Sequence, residues 1–573
     1  MKEKIILIAI LIIAFYFRFN NLNWDDNHHL HPDERFLTMV GTSLKLPDSF
    51  LEYVDPKISR LNPANVGNNF FVYGVFPLTL NKYFVNYLNK DNYDDFTILG
   101  RKLSAFLDLL VVILVYKIAR LIIDKKKSTI PLWSSFFYAV AVLPIQLAHF
   151  FTVDTFLNFF MLASFYFSLR FYKAKSCKMQ GVSLALSAIF LGLAIASKVT
   201  ALYVFPLNVF FILFFSIKKR SIIKLFPLTS IYILIAYVSL RLANPYMFEN
   251  MDFFNLSLSI NFVNSLKELK NLVLISPDNY YPPNIQWMNK NTVIHSLVNN
   301  SVLGLGLPIS IFILTGTTSV LFKNKSINHY IIVIIILFWV LLFFAYQSLQ
   351  ANPTNRYFII LYPFLAIIAG IGMSVINDQL SGFNKKIKLN TNLLLITEYS
   401  LLTTVLLVWP IMFTSIYHNK HSRVEASEWI YKNFKNGSVI ANEHWDDGLP
   451  LPVNNNYGKQ FTTLELPIFG PDNEEKWTQM NEVMAQADYY ILSSNRGWGS
   501  ISTVPQMYPR MSKFYEDIFA GRTKFKKIAE FTSYPALNFR ISNFEFRISF
   551  PDDWADESFT VYDHPKVMIY KKN

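Results

Sequence analysis

The sequence predicts a polytopic α-helical membrane protein with a C-terminal soluble α/β domain. Hydrophobic residues make up 52% of the 573 residues and charged residues only 16%, whereas soluble proteins usually carry about 25% charged residues. Long apolar segments recur up to residue 416 and then stop. This composition excludes a disordered chain, a disulfide scaffold and an ordinary cytosolic enzyme.

Eleven segments are apolar enough to be interpreted as membrane spans, which need about 20 mostly apolar residues. The first, 5–17, follows Lys2 and Lys4 and has no small-residue cleavage site after it, so we interpret it as an uncleaved helix and not as a signal peptide. The others lie near 99–123, 130–148, 155–172, 182–197, 200–217, 225–243, 297–322, 329–348, 357–377 and 393–416.

Basic residues concentrate in alternate short loops, which is the bias that marks the cytoplasmic side of a membrane. They are Lys125, Lys126, Lys127, Lys173, Lys175, Lys178, Lys218, Lys219, Arg220, Lys323, Lys325, Lys385, Lys386 and Lys388. This bias predicts a cytoplasmic N-terminus and, after an odd number of spans, an extracytoplasmic C-terminal domain. We expect a multi-pass protein of a prokaryotic plasma membrane; an organelle membrane with the same topology is the alternative.

Three long polar pieces then face the exterior: a first polar loop near 20–98, a second polar loop near 244–296, and the tail, 417–573. Loops of this length usually carry function. The chain therefore divides into a transmembrane module, 1–416, and a tail domain. The tail alternates expected helices and strands at 424–434, 438–441, 476–487, 489–493 and 567–570.

The basic excess belongs to the transmembrane module. The chain carries a net charge of +13, and the tail has 18 basic and 20 acidic residues, which leaves +15 for the first 416 residues. A basic excess confined to the membrane part indicates topology and not nucleic-acid binding. The single cysteine, Cys177, excludes an intrachain disulfide.

An acidic pair, Asp33-Glu34, follows His31-Pro32 in the first polar loop and precedes a helical pattern. Proline and acidic residues are typical of a helix start, which is one interpretation. The other is a functional carboxylate pair. Because adjacent helical positions point about 100° apart, one acid would serve as general base while the other orients the site.

Further charges stand at the same predicted side of the membrane. Arg101 opens the second span, His149 and Asp154 join the third and fourth, Lys198 joins the fifth and sixth, and Arg356 precedes the tenth. Asp154 is also placed to cap a helix. The cations suit a phosphate, although snorkelling to lipid headgroups is the alternative for each of them.

These residues resemble a known group. The chain is similar to integral-membrane glycosyltransferases of the GT-C class, in particular the protein O-mannosyltransferase and aminoarabinose transferase superfamily (glycosyltransferase family 39-like). The resemblance covers about residues 1–416 and rests on Asp33-Glu34, Arg101, His149 with Asp154, the segment from Gly192 to Lys198, and Arg356-Tyr357 with Tyr362-Pro363.

The resemblance implies inverting transfer of a sugar from a polyprenyl-phosphate donor to a protein, lipid or glycan acceptor. It implies catalytic roles for Asp33, with Glu34 and Asp154 in support, and phosphate binding by Arg101, Lys198 and Arg356. We also expect His149, Tyr73 and Tyr357 to contact substrate. No cofactor is expected: His149 and the acids are possible ligands of a divalent metal, but nothing in the sequence supports one.

Two other classes compete with this prediction. A transporter or lipid flippase places ionisable residues near mid-bilayer and often contains inverted repeats, whereas these charges cluster at one surface and no repeat is visible. A surface-polysaccharide ligase or polymerase also uses a lipid-linked donor, but the arginine-rich loop pattern of those proteins is not found.

Overall fold

A computed structural model describes residues 2–123, 127–273, 281–322, 327–387, 391–541 and 544–573. Part of the second polar loop, 274–280, lies outside these ranges. So do five of the basic residues used to predict orientation: Lys125, Lys126, Lys323, Lys325 and Lys388.

Helices make up the main secondary structure of the transmembrane module in its described part, because its long apolar runs favour helices in which every backbone group is paired. Its α-helices are α1 Lys2–Phe19, α2 Pro32–Ser43, α3 Phe50–Val54, α4 Phe76–Tyr87, α5 Tyr93–Ile122, α6 Ile130–Ala139, α7 Val142–Ala148, α8 Val153–Lys173, α9 Cys177–Ser197, α10 Phe205–Lys218, α11 Leu225–Ala243, α12 Ile260–Val273, α13 Thr292–Val298, α14 Leu307–Phe322, α15 Ile327–Ser348, α16 Tyr362–Ile387 and α17 Thr391–His418.

Each of the eleven predicted spans coincides with one of these helices or with a bent pair of them. Among the described residues, six helices are long and apolar enough to cross a membrane, or eight if α6 with α7 and the segment before α14 with α14 each count as one span. The fold class is confirmed, while the count of eleven remains a prediction.

A buried ion pair organises the helices that lead to the polar loops. Arg18 at the end of α1 donates from Nε to Asp108 of α5 at 2.7 Å, and from Nη1 to the Ala139 carbonyl at 2.8 Å. That carbonyl lies at the end of α6, where the chain bends by 54° into α7. Arg18 thus satisfies a helix terminus that would otherwise lack a partner, and it fixes the direction of α7.

The tail is an α/β domain, as predicted. Its strands are β1 Val439–Glu443, β2 Thr462–Leu466, β3 Tyr489–Leu492, β4 Phe525–Phe531, β5 Ala536–Ile541, β6 Phe544–Ser549 and β7 Val567–Lys572. Five of them form one sheet in the order β2-β1-β3-β7-β4, and β5 pairs with β6 in a separate hairpin. The tail's α-helices are α18 Ser422–Asn433, α19 Glu474–Gln486, α20 Arg496–Ile501, α21 Pro509–Phe519 and α22 Glu557–Thr560.

Parallel pairing joins β1 to β2 and to β3, while β7 runs antiparallel to β3 and β4. The predicted strands at 438–441, 489–493 and 567–570 fall on β1, β3 and β7. Because the carboxyl ends of parallel strands meet at one edge, the segment that follows β1 emerges beside the segment that follows β3.

The stretch between β6 and β7 attaches the tail to the transmembrane module. Its His564 lies between two buried carboxylates, with Nε2 at 2.9 Å from Asp552 and Nδ1 at 2.5 Å from Asp563. Asp563 also accepts hydrogen bonds from Gln146 of α7 and Tyr417 of α17, both at 3.0 Å. These buried contacts hold the tail against the end of the helices where the polar loops lie.

Candidate functional site

An open cleft of about 250 Å³ lies where the two polar loops meet the tail. Its lining combines acidic, basic and aromatic side chains from all three pieces. The lining residues are Leu30, Pro32, Asp33, Arg35, Tyr281, Pro283, Gln286, Trp287, Asn352, Thr354, Arg356, Arg423, Trp445, Asp446, Asp447, Arg496, Asp556, Glu557, Ser558, Val561 and Tyr562.

Asp33 and Arg356 form an ion pair in the wall of this cleft, although 323 positions separate them in the chain. Their side chains keep 23% and 17% of their exposure, so the pair faces the cleft. Burial acts to raise the pKa of the Asp33 carboxyl, but the positive charge of Arg356 outweighs burial and the pKa falls to about 2. Asp33 is therefore ionised at neutral pH.

The start of α2 decides which acid faces the cleft. The His31 side chain caps the helix by accepting from the Glu34 amide, and Pro32 occupies the first turn, which agrees with the helix-start interpretation. The two acids diverge as adjacent helical positions must. Asp33 lines the cleft, whereas Glu34 points inward and is 0% exposed.

Glu34 belongs to a buried network with Arg101 and Asp25. Arg101 donates to Glu34 from Nε at 2.9 Å and from Nη2 at 2.5 Å. It donates to Asp25 from Nη1 at 3.0 Å and Nη2 at 2.8 Å, and to the Leu22 carbonyl at 2.7 Å. Glu34 also accepts from the Phe151 amide at 2.6 Å.

This network corrects two predicted roles. All five N–H groups of Arg101 already have acceptors, and its side chain is 0% exposed, so the structure places it away from any phosphate in the cleft. Glu34 has no access to the cleft, which corrects its predicted catalytic role and agrees with the expectation that one acid of the pair orients the site. Sequence inspection missed Asp25 as the third member, although the acidic pair Asp25-Asp26 beside a predicted membrane edge was a visible signal.

Asp154 and Lys198 form a second pair, with Lys198 Nζ donating to Asp154 Oδ1 at 2.7 Å. Lys198 Nζ also lies 4.4 Å from the centre of the Tyr357 ring, and the Arg356 guanidinium lies 5.3 Å from the same ring. Both cations therefore lie against the Tyr357 ring, which places the Asp154 pair beside the Asp33 pair. The structure thus gathers these five predicted site residues.

Tyr73 reaches the same region because Gly74 permits a close approach. The Gly74 amide donates to the Ser197 carbonyl at 3.0 Å, directly before Lys198. A Cβ at Gly74 would lie 1.9 Å from the Ala196 carbonyl oxygen, so glycine is required there. Tyr73 lies near enough to Asp33 to help lower its pKa.

The prediction that His149 contacts substrate is wrong, because its side chain does not reach the cleft. Its ring is fully buried and stacks on Tyr417 with centroids 3.8 Å apart. Its Nδ1 and Nε2 lie 2.8 and 3.0 Å from the carbonyl oxygens of Ile145 and Asn20. Both nitrogens are therefore occupied by backbone groups, and His149 packs the loops together. Within the described ranges, no cluster of three or more histidine, cysteine or acidic side chains is arranged to hold a metal ion.

The tail supplies a charged wall that sequence inspection did not assign to the site. Buried Arg423 bonds both Asp446 and Asp447, and Asp447 also accepts from Arg35 of α2 at 2.8 Å. Asp446 and Asp447 follow β1, and Ser494, which follows β3, donates to Asp446. The sequence signal was the group Trp445-Asp446-Asp447, which has no partner nearby in the chain.

Comparisons with known proteins agree with this architecture. Residues 66–251 match the family model of the dolichyl-phosphate-mannose-protein mannosyltransferases, which is less than half of the chain. No curated protein matches the chain significantly.

Among solved structures, the apo oligosaccharyltransferase of Archaeoglobus fulgidus aligns over 96% of this chain and 74% of its own, with a TM-score of 0.50 and 10% identity. The same enzyme tethered with an acceptor peptide aligns over 96% and 74%, with a TM-score of 0.49 and 12% identity. ArnT of Cupriavidus metallidurans bound to undecaprenyl phosphate aligns over 76% and 73%, with a TM-score of 0.44 and 14% identity.

The match to the mannosyltransferase family model and the likeness to the apo oligosaccharyltransferase confirm the resemblance that the sequence predicted. The protein is a multi-pass membrane protein with the GT-C fold and a C-terminal domain that contains a β-sheet.

Proposed function

We propose that this protein is an integral-membrane glycosyltransferase that takes a sugar from a polyprenyl-phosphate donor and transfers it, with inversion, to an acceptor at the exterior face of the plasma membrane. The observation that carries the proposal is the Asp33–Arg356 pair in the wall of the open cleft. The match to a family described by a dolichyl-phosphate sugar donor supports the donor class.

Asp33 acts as the general base. In the resting protein Arg356 holds its carboxylate ionised and only weakly basic. A donor phosphate competes for Arg356 because a guanidinium binds phosphate and carboxylate by the same forked geometry. Once Arg356 turns to the phosphate, Asp33 loses its compensating charge and becomes a stronger base.

Transfer is one displacement. An acceptor oxygen attacks the anomeric carbon and its proton passes to Asp33. The bond between that carbon and the phosphate oxygen breaks on the opposite face, and its electron pair leaves with the lipid phosphate. Arg356 and Lys198 stabilise the charge of the departing phosphate, as preorganised cations do in a site shielded from water.

Asp154 and Tyr357 have supporting roles. Asp154 is 2% exposed and holds Lys198 in place through the 2.7 Å contact. Tyr357 presents an aromatic ring that lies against both cations. The acceptor, which is a protein, a lipid or a glycan, enters through the cleft between the polar loops and the tail.

The test is release of free polyprenyl phosphate by the detergent-purified protein from a panel of polyprenyl-phosphate sugars. Asp33→Asn keeps the shape of the side chain but removes the base, so we expect release to fall about a hundredfold or more, the lower range of general-base effects. The matched control is Asp48→Asn, an 88% exposed acid of the first polar loop, which should leave release unchanged.

Equal release by the wild-type protein and Asp33→Asn would refute Asp33 as base and direct attention to Asp154. A folded wild-type protein that binds no polyprenyl-phosphate sugar and releases no polyprenyl phosphate would refute the transferase and favour the transporter alternative.

A further inference from the structure

The second polar loop begins with a short hairpin, residues 248–258, which we call the loop hairpin. Phe248 forms an antiparallel bridge with Leu258 across it. The hairpin follows α11, which ends at Ala243, and it leads into α12. It therefore starts within a few residues of a helix that is long and apolar enough to cross a membrane.

One row of side chains on the returning arm of the hairpin is apolar and exposed. Phe254, Leu256 and Leu258 alternate with the polar residues Asn255 and Ser257. The three apolar side chains are all exposed, and Phe254 keeps 94% of its exposure. Alternation places apolar side chains on one face of an extended chain, and a contiguous exposed apolar face indicates contact with a membrane or another molecule.

The hairpin folds back along α11 and does not rise away from its end. The Phe253 carbonyl accepts a hydrogen bond from the Tyr237 hydroxyl at 2.8 Å, and the Phe248 ring meets the Tyr237 ring edge-on with centroids 5.7 Å apart. Tyr237 precedes Ala243, the last residue of α11, by six positions, which corresponds to about 9 Å along a helix. Because helical side chains tilt toward the N-terminus of their helix, the tip of the hairpin lies beside the span and not beyond it.

Arg241 in the last turn of α11 holds the turn of the hairpin. Its Nη2 donates to the Asn250 carbonyl at 2.7 Å and also to the Asp252 carbonyl. The guanidinium lies 4.2 Å from the centre of the Phe248 ring and 5.5 Å from the centre of the Phe253 ring. One cation of the helix thus fixes two carbonyls and two aromatic rings of the hairpin.

Many backbone groups of the tip are paired within the protein, which a lipid environment requires. Three amides donate to oxygens of neighbouring asparagine or aspartate side chains at 2.8–3.0 Å, namely those of Asp252, Phe254 and Ser257. The Asn255 amide donates to the Asp252 carbonyl at 3.1 Å. Together with the hydrogen bonds from α11, these contacts replace water as the partner of the turn.

The helix that supports the hairpin faces away from the rest of the protein. Of the candidate span Ile222–Ala243, only 11% of the apolar window is buried, the smallest share among the six candidate spans of the described residues. The exposed side chains of this helix, such as Leu234 and Val238, are aliphatic. An apolar helix surface of this length faces acyl chains in a membrane. The hairpin packs against that helix and therefore shares its lipid surroundings.

We infer that the loop hairpin inserts into the bilayer leaflet on the side of the polar loops, where Phe254 and Leu256 contact lipid beside α11. Its depth is that of an interfacial element, about 5–10 Å into the boundary between headgroups and acyl chains. Insertion tethers the second polar loop to the membrane, and this loop also carries Tyr281 and Trp287 of the cleft lining. The inference concerns a membrane contact and does not depend on the reaction proposed for the cleft.

The experiment places an environment-sensitive fluorophore on the tip of the hairpin in the full-length protein in lipid nanodiscs. The single cysteine, Cys177, is first replaced by serine, and Phe254→Cys then carries an NBD label. We expect blue-shifted emission and protection from iodide. We also expect quenching by nitroxide-bearing lipids, stronger when the nitroxide is near the headgroup than when it is near the end of the acyl chain.

Two reference positions calibrate this measurement. Leu234→Cys, on the exposed face of α11, should be quenched more strongly by the nitroxide near the end of the acyl chain. Tyr457→Cys, an exposed position of the tail, should be quenched by iodide and by neither lipid. Leu256→Cys repeats the test at a second exposed position of the tip, and thermal midpoints show that each labelled protein is folded.

The outcomes are distinct. Labels at Phe254 and Leu256 that behave like the Tyr457 label, open to iodide and insensitive to nitroxide lipids, would overturn the inference. Labels that are protected from iodide but not quenched by the lipids would overturn it as well, since that pattern indicates contact with another protein or with a second copy of the chain. Because no donor or acceptor is present, failure of the proposed transferase activity would leave this result unchanged.

Discussion

Replacing Glu34 by glutamine tests whether Glu34 stabilises the fold while Asp33, the other acid of the pair, takes part in the reaction. Glu34 accepts three hydrogen bonds in the buried network, two from Arg101 and one from the Phe151 amide. Glutamine keeps one acceptor oxygen but places an NH₂ group against donors. It also removes one of the two negative charges that compensate Arg101, whose side chain is 0% exposed.

The loss of folding free energy in Glu34→Gln follows from the burial of Glu34 and Arg101. Breaking a buried ion pair by removing one partner costs about 3–5 kcal/mol. Because the unfolding entropy of a chain of 573 residues is about 1.2 kcal/mol/K, Glu34→Gln should lower the thermal midpoint by about 2–4 °C. Asp33→Asn breaks a pair whose side chains are 23% and 17% exposed. Solvent screens that pair, and we expect a loss of stability of about 1 kcal/mol or less.

Thermal unfolding in detergent, followed by tryptophan fluorescence, measures one half of this prediction, and release of polyprenyl phosphate measures the other. Asp33→Asn should keep its thermal midpoint and lose activity. Glu34→Gln should lose stability first and, at temperatures well below its midpoint, keep more activity than Asp33→Asn. A Glu34→Gln protein of wild-type stability without activity would refute the positioning role assigned to Glu34.

Two further predictions concern Glu443 in the tail and Gly74 in the first polar loop. Burial raises the pKa of Glu443 in β1 from 4.5 to about 7. Between these pH values the folded protein keeps a proton that the unfolded chain releases. The free energy of unfolding should therefore fall by about 3 kcal/mol as the pH rises through this window. Glu443→Gln should abolish that fall in urea unfolding at pH 5 and pH 8, and an unchanged pH dependence would contradict the assignment. A Cβ at Gly74 would lie 1.9 Å from the Ala196 carbonyl oxygen, so Gly74→Ala should cost about 1–3 kcal/mol and weaken activity by moving Tyr73. Gly181→Ala, where a Cβ meets nothing within 4 Å, is the control, and equal thermal midpoints for the two variants would contradict the prediction.

Several site residues were predictable because their local surroundings were abnormal. Asp154, Lys198 and Arg356 are charges beside long apolar segments, where an ionisable group is costly and needs a partner, and Asp33 belongs to an acidic pair at a predicted helix start. That reasoning identifies the residues and the side of the helices on which they lie. It does not identify the partners: Arg101 and Arg356 have the same local signature, yet one is saturated inside the protein and the other faces the cleft.

For the tail, the sequence predicted the secondary structure but not the residues that line the cleft. Its helices and strands followed from alternation of apolar and polar residues, and its α/β class was predicted. Its contribution to the cleft was not predicted, since Arg496 and Tyr562 have ordinary neighbours in the chain and Asp446 had only the signal of its group with Trp445 and Asp447. Only the parallel pairing of β1 with β3, and the buried contacts of Asp563 with α7 and α17, bring these residues to the polar loops.

The sequence by itself determined that this protein is a membrane-embedded bundle with a separate α/β tail and charges gathered at one end of its helices. The length of an apolar segment, the alternation of apolar and polar residues and the bias of charges between loops are local properties. Each can be recognised in a short stretch of the chain. The tertiary structure decided which charges neutralise each other and which remain available. That choice depends on pairs such as Asp33 and Arg356, 323 positions apart, and long-range pairing is set by packing that no local pattern encodes.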